Sequence, residues 1–201
     1  MKFGLTGSFF AGMVRQDRKL QGAFVESDEK LIERINRGEV DAFETLYVRY
    51  RDWVHRLAYR FTRDEELAQD VVQETFTYLL KKFPGFQLTA RMTTFLYPTV
   101  KFTALGMLRQ RQRHAGVDSS PEEIAVPAPE QTDASRSELA AAIAVLSDAH
   151  RETMLMRFVD GFSIDQIAAV LDIPAGTVKS RLHKALQKLR ENESTRRYFL
   201  D

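Results

Sequence analysis

Residues 174–190 contain Lys179, Arg181, Lys184, Lys188 and Arg190 and no acid at all. Interleaved with these cations are Ser180, His183 and Gln187. Ammonium and guanidinium groups attract phosphate, while hydroxyl, imidazole and amide groups can reach base edges. The chemistry on offer is therefore non-covalent: holding a polyanion and reading it. Val178, Leu182, Ala185 and Leu189 fall at i, i+4, i+7 and i+11. That period buries one face of a helix and turns Lys179, Ser180, His183 and Gln187 outward, where they can enter a groove.

Such a helix must be held by a partner, and the preceding residues supply one. Ser163 with Gln166 three residues on is a capping signal, followed by Ile164, Ile167, Ala168 and Leu171 at helical spacing. Asp172-Ile173-Pro174 interrupts that pattern, because proline has no amide hydrogen and disfavours helix in the residue before it. The stretch 163–186 thus reads as two short helices around a tight turn. A basic amphipathic helix can be no more than a solvated face, and the same outline occurs in proteins that never touch DNA. Here cap, period, turn and charge all agree on duplex DNA.

The first half predicts three further helices. Asp41 with Glu44 resembles a capping box, after which Phe43, Leu46, Tyr47, Tyr50, Trp53, Val54, Leu57, Ala58 and Phe61 trace a wide apolar stripe. Thr62 with Glu65 offers a second cap for a helix whose buried face is Leu67, Ala68, Val71, Val72, Thr75, Leu79 and Phe83, ended by Pro84-Gly85. Its other side exposes Glu66, Asp70, Gln73, Glu74, Thr77 and Lys81, a row that is most often just solvated. A third helix spans 92–113 and closes on Arg109, Arg111 and Arg113, which complement a helix dipole and could also meet phosphate. Pro98 predicts that this helix starts near Phe95 or kinks there. The loop 86–94 combines Phe86, Arg91 and three threonines, a composition able to stack a base, although a loop aromatic usually packs beneath its loop.

The chain has 201 residues, is 44% hydrophobic and carries a formal charge of +1. That length suits one medium domain or two small ones. Residues 117–138 hold six acids against Arg136, together with Pro121, Pro127 and Pro129. With so few large apolar residues, 114–135 reads as a flexible acidic linker. There is no cysteine, and His55, His114, His150 and His183 are scattered, so no metal site or cofactor is expected. No nucleophile and base stand at motif spacing and no phosphate loop is present, so no catalytic residue is assigned and an enzyme is not expected. The run from Phe3 to Val14 is broken by glycines and lacks a signal or membrane-spanning core, which makes a cytoplasmic protein the expectation. Residues 1–27 form an extension of unassigned role, and 192–201 a tail.

Taken together, these residues resemble the extracytoplasmic-function (ECF) group of bacterial sigma factors, of the sigma-70 type. The resemblance is carried by DAFETLYVRYRDWVHRLAYRF and ELAQDVVQETFTYLLKKF in the first half. In the second half it is carried by LSDAHRETMLMRFVDGFSIDQIAAVLDIPAGTVKSRLHKALQKLR. It implies an all-α chain of two small helical domains, a region 2-like domain over 28–113 and a region 4-like helix-turn-helix domain over 136–191. By the same resemblance the chain would bind core RNA polymerase, recognise −35 and −10 promoter elements and promote DNA melting. Asp70, Gln73 and Glu74 would dock on the clamp helices of the largest polymerase subunit. Thr177, Lys179, Ser180, Arg181, His183 and Lys184 would contact the −35 element, and Phe86, Arg91, Thr94, Tyr97, Lys101, Phe102 and Arg109 the −10 element. An anti-sigma protein is a further implied partner. Many members have a tryptophan, an Arg-Ile pair and an asparagine in the third helix where this chain has Phe95, Pro98-Thr99 and Phe102. Phenylalanine cannot make the base-edge hydrogen bond that asparagine can. The alternative reading is a regulator that binds duplex operators without joining polymerase, and a third is a helical protein whose basic helix meets an acidic partner.

Overall fold

The computed structural model of the chain describes residues 26–114 and 143–192. Among them are seven helices and no strand. The extension 1–25, most of the linker and the tail beyond 192 lie outside the described residues.

The first helix, α1 (Asp28–Asn36), makes the first half four-helical, the upper end of the three or four helices that the resemblance implies. Ser27 caps it by accepting from the Lys30 amide, Asp28 and Glu29 sit in its first turn, and Leu31, Ile32 and Ile35 are buried. Gly38, at φ 91°, turns the chain into α2 (Val40–Thr62). The expected cap at Asp41 is not formed: Glu39 occupies the N-cap position without a side-chain bond. Asp41 instead binds the Arg34 guanidinium, which also holds Glu39 at 2.7 Å and Glu26 at 2.9 Å. A fork of donors satisfied by three carboxylates fixes the α1–α2 corner better than a single cap would.

The next cap is likewise one place over from expectation. Asp64, not Thr62, caps α3 (Glu65–Leu80), its carboxylate accepting from the Leu67 amide at 2.9 Å. Thr62 still belongs to α2 and its hydroxyl bonds the Ala58 carbonyl. Helix α4 (Met92–His114) runs unbroken through Pro98. The expected helix start near Phe95 is therefore overturned. Pro98 is exposed, so the ring that cannot donate faces away from the core while Leu96, Tyr97, Val100 and Ala104 are buried on the other side. Burial of that apolar face outweighs one missing hydrogen bond.

After the linker come α5 (Asp148–Phe158), α6 (Ile164–Leu171) and α7 (Ala175–Glu191). The capping box of α6 is complete: Ser163 Oγ accepts from the Gln166 amide at 3.2 Å and Gln166 Oε1 accepts from the Ser163 amide at 2.8 Å. Asp172, in the left-handed region at φ 51°, ends α6, and Pro174 precedes α7 as its N-cap.

The core differs from two self-contained domains. Met156, Phe162, Ile167 and Val178 from the second half join the same buried cluster as Leu46, Phe61, Phe76 and Leu96 of the first. A smaller cluster of Ile143, Leu146, Met154, Ala185 and Leu189 sits between α5 and α7. Arg151, only 7% exposed, ties the chain before α5 to that cluster, donating to the carbonyls of Ile143, Ala144 and Leu146. Replacing Arg151 by methionine keeps volume but leaves three carbonyls without their donor. We expect a loss of about 3 kcal/mol in urea denaturation, against less than about 1 kcal/mol for the exposed Arg190→Met.

Candidate nucleic-acid and polymerase interface

Three surfaces carry the candidate residues. On α7, Lys179, Ser180, His183 and Lys184 are all exposed, Thr177 and Arg181 are half-buried, and Val178, Ala185 and Leu189 face the core. The His150 imidazole on α5 is held below its ordinary pKa, by burial first and then by the charges of Arg181, Lys184 and Lys188. Arg181, Lys184 and Lys188 of α7 thus lie near enough to His150 to add to the effect of its burial. A positive field with an exposed hydroxyl and imidazole can take phosphates and base edges of a duplex.

On α3, Asp70, Gln73 and Glu74 are exposed, continuous with Glu66 on one side and Lys81 on the other. Next to them runs a groove of about 410 Å³ lined by Tyr47, Arg51, Asp52, His55, Gln69, Val72 and Gln73. Val72, 9% exposed, is part of the core beneath it. An acidic and amide-bearing row beside such a groove suits a basic helical partner, giving steering and specificity.

The seven residues expected at the −10 element from the resemblance separate into two groups in the structure. Tyr97, Lys101, Phe102 and Arg109 line a single groove of about 320 Å³ together with Pro98, Leu105 and two residues of α6, Val170 and Leu171. Phe86, Arg91 and Thr94 do not line it. Phe86 packs between Phe83, at 5.4 Å between ring centroids, and Phe95, at 4.8 Å. Arg91 is exposed, and the Thr94 hydroxyl is out of solvent without a hydrogen-bond partner.

Sequence reasoning missed the residues that hold these groups in place. Asn36 clamps the loop before α4 from 50 residues away, donating to the Phe86 carbonyl at 2.9 Å and accepting from the amides of Gly85 and Phe86 at 2.6 and 3.1 Å. Across the domains, Glu152 accepts from the Tyr97 hydroxyl at 3.0 Å and from Lys101 Nζ at 2.6 and 2.8 Å. Burial first, and then the Glu152 charge, push the Tyr97 phenol well above its ordinary range, so it remains a donor. Asp160 takes both arms of the Arg60 guanidinium, at 2.6 and 3.2 Å, and both side chains are largely buried. Phe162 closes the seam, its ring edge-on to Tyr97 at 5.7 Å. No local pattern announces contacts between partners about 50 to 100 residues apart. Among the described residues no group of three or more His, Asp or Glu could hold a metal ion, and no helix is long and apolar enough to cross a membrane.

The family model "Sigma-70 region 2" matches residues 46–114 and "Sigma-70, region 4" matches 136–189. The chain is 33% identical over 164 residues to the RNA polymerase sigma factor CarQ of Myxococcus xanthus, an alignment covering 80% of this chain and 94% of that one. With the ECF RNA polymerase sigma factor SigW of Bacillus subtilis it shares 25% identity, over 81% and 95% of the two chains. Among solved structures, CnrH in complex with the cytosolic domain of CnrY has the same fold, at a TM-score of 0.60 and 21% identity over 82% of this chain and 95% of that one. The sigma factor RpoE of Bartonella quintana, in complex with the anti-sigma factor NepR, gives 0.56 and 22% over 74% and 94%.

The seam makes a direct prediction. Asp160→Ala leaves Arg60 buried without its carboxylate, at about 3 kcal/mol, whereas Asp165→Ala on the exposed side of α6 costs less than about 1 kcal/mol. Small-angle scattering should show the Asp160 variant expanded and the Asp165 variant unchanged.

Proposed function

As a member of the extracytoplasmic-function group of the sigma-70 family, the chain is, we propose, a transcription initiation factor whose two halves divide the work of polymerase docking and promoter recognition between named surfaces. It binds core RNA polymerase, recognises the −35 and −10 promoter elements and promotes melting between them. We assign residues 28–113 to core polymerase and the −10 element, and 136–191 to the −35 element, with 114–135 as the linker. A cytoplasmic location follows from those partners.

The observation that carries this reading is the outward face of α7, where Lys179, Ser180, His183 and Lys184 are exposed together and no acid lies between Pro174 and Arg190. Laid in the major groove, that face sets lysines against phosphates and Ser180 and His183 against base edges, with Thr177 and Arg181 supporting near the helix start. Asp70, Gln73 and Glu74 on α3 dock on the polymerase clamp helices. Arg91, Lys101, Phe102 and Arg109 meet the opened −10 strand, with Phe86, Thr94 and Tyr97 shaping the surface they stand on. Unpaired bases bound better than paired ones shift the duplex toward its open form, and each captured base offsets part of the unstacking. The Bartonella relative is solved with an anti-sigma partner, and we assign this chain an inhibitor of the same kind.

Two experiments test the assignment. Gln73→Ala with Glu74→Arg should abolish tight binding to core polymerase while duplex DNA affinity is retained. If neither the variant nor the wild type binds polymerase and both bind duplex, the chain is an operator-binding regulator. Lys179→Ala with Lys184→Ala should weaken duplex binding and lower the slope of log affinity against log salt by about 2. An unchanged slope would remove α7 from the DNA interface.

A further inference from the structure

We propose that the N-terminal segment, residues 1–25, docks in the groove between α3 and α4 and there covers Glu74 and Phe102. The groove has a volume of about 600 Å³ and is lined by Glu74, Tyr78, Pro98, Thr99, Phe102 and Thr103. Phe102 is 79% exposed and Tyr78 39%. A lone exposed apolar side chain is ordinary, but two rings in one groove mark a docking surface. The only charged residue in the lining is Glu74. It belongs to a row at four-residue spacing, Glu66, Asp70, Glu74 and Tyr78, exposed along one side of α3. Among the described residues none of these three carboxylates has a cationic partner. Beyond Tyr78 the sign reverses, with Lys82 Nζ 4.5 Å from its ring centroid. An occupant that fits places apolar side chains beside Tyr78 and Phe102 and cations toward Glu66.

Residues 1–25 have that composition in that order. Phe3, Leu5, Phe9, Phe10, Met13 and Val14 come first, and Arg15, Arg18 and Lys19 follow. With Lys2 these are four cations against a single acid, Asp17. The row from Tyr78 to Glu66 is about 18 Å long at the rise of an α-helix, and the chain from Phe10 to Lys19 spans up to about 30 Å. Residues 20–25, about 20 Å when extended, then lead to Glu26. That residue is fixed, its carbonyl accepting from Arg49 at 2.6 Å and its carboxylate from Arg34 at 2.9 Å. A segment tethered in this way acts at an effective concentration on the order of 1 mM, so modest complementarity keeps it docked. Docked, it competes with core polymerase for the α3 row, a consequence that rests on the reading of Asp70, Gln73 and Glu74 as the polymerase-docking face.

The chain has no cysteine, so an engineered pair reports proximity cleanly. In the full-length protein, Ser8→Cys is combined with Thr103→Cys in the groove, or with Thr45→Cys, which is also half-buried but lies on α2. Each pair is joined with a short bismaleimide. Docking should close the Thr103 pair within one chain about tenfold faster than the Thr45 pair. Phe9→Ala with Phe10→Ala, or Arg15→Glu with Arg18→Glu and Lys19→Glu, should bring the two rates together. Equal rates without those changes overturn the proposal, and cross-links between two chains overturn it by giving the groove to a second copy. Loss of duplex DNA affinity in the charge-reversed variant, with cross-linking unchanged, makes the segment a DNA arm and overturns it too. The Phe9→Ala, Phe10→Ala variant should bind core RNA polymerase about tenfold more tightly than wild type, as expected when the docked form is about nine-tenths populated. Equal, measurable polymerase affinities overturn the competition. If neither protein binds polymerase while the Thr103 pair still closes faster, the docking stands and the polymerase reading fails.

Discussion

The arrangement of the described residues depends on one seam, where the Tyr97 ring lies between Phe61 of α2, at 6.2 Å, and Phe162, at 5.7 Å. Around this aromatic contact two carboxylates of the second half meet two cations of the first. Asp160 receives Arg60 in a bidentate pair, and Glu152 receives Lys101 and the Tyr97 hydroxyl. Burial of rings and aliphatic side chains supplies the attraction. The ion pairs contribute less net stability than their Coulomb energy suggests, because both partners lose water. What they contribute is geometry: a guanidinium fork and a carboxylate fit in one orientation, so the two halves meet in one register.

That seam has a functional consequence. Lys101 and Tyr97 belong to the surface assigned to the opened strand, and the same polar groups are bound by Glu152. The Glu152 carboxylate neutralises Lys101, accepting from its Nζ with both oxygens. The faces assigned to polymerase and to the −35 element are unaffected, since Asp70, Gln73 and Glu74 on α3 and the outward side of α7 remain exposed. Phe102 also remains exposed at the edge of the seam. The outward face of α7 and the polar row of α3 are thus open to solvent while Tyr97 and Lys101 are engaged by Glu152.

The first half shows how one small bundle can present two separate candidate surfaces. Helix α3 buries Ala68, Val71, Val72, Phe76 and Leu79 on one side and keeps a polar row on the other. Helix α4 has Tyr97 and Val100 inside and Phe102 and Arg109 outside. Asn36, from α1, fixes the loop between them through the backbone of Gly85 and Phe86. Helices therefore position most of the assigned side chains, and the loop is held by Asn36 through its backbone.

By itself the sequence determined what local physics decides. The capping box at Ser163, the stop at Asp172–Pro174 and the apolar period from Val178 to Leu189 specify the helix-turn-helix and its cationic outer face, because each depends on neighbours within about one or two turns. The buried stripes of α2 and α3 were legible for the same reason. Caps were misplaced where a tertiary partner outbid the local one: Asp41 is drawn to Arg34, and Asp64 takes the cap of α3 while also pairing with Arg111. Pro98 is carried inside α4 because packing of the helix's inner face outweighs the donor it lacks. Only the tertiary structure decided that Phe86 is packed while Phe102 is free, that the cores of the two halves join, and that Glu152 and Asp160 answer Lys101 and Arg60. Those outcomes follow from which surfaces meet, and residues 50 to 100 positions apart leave no periodic signal of that in the chain.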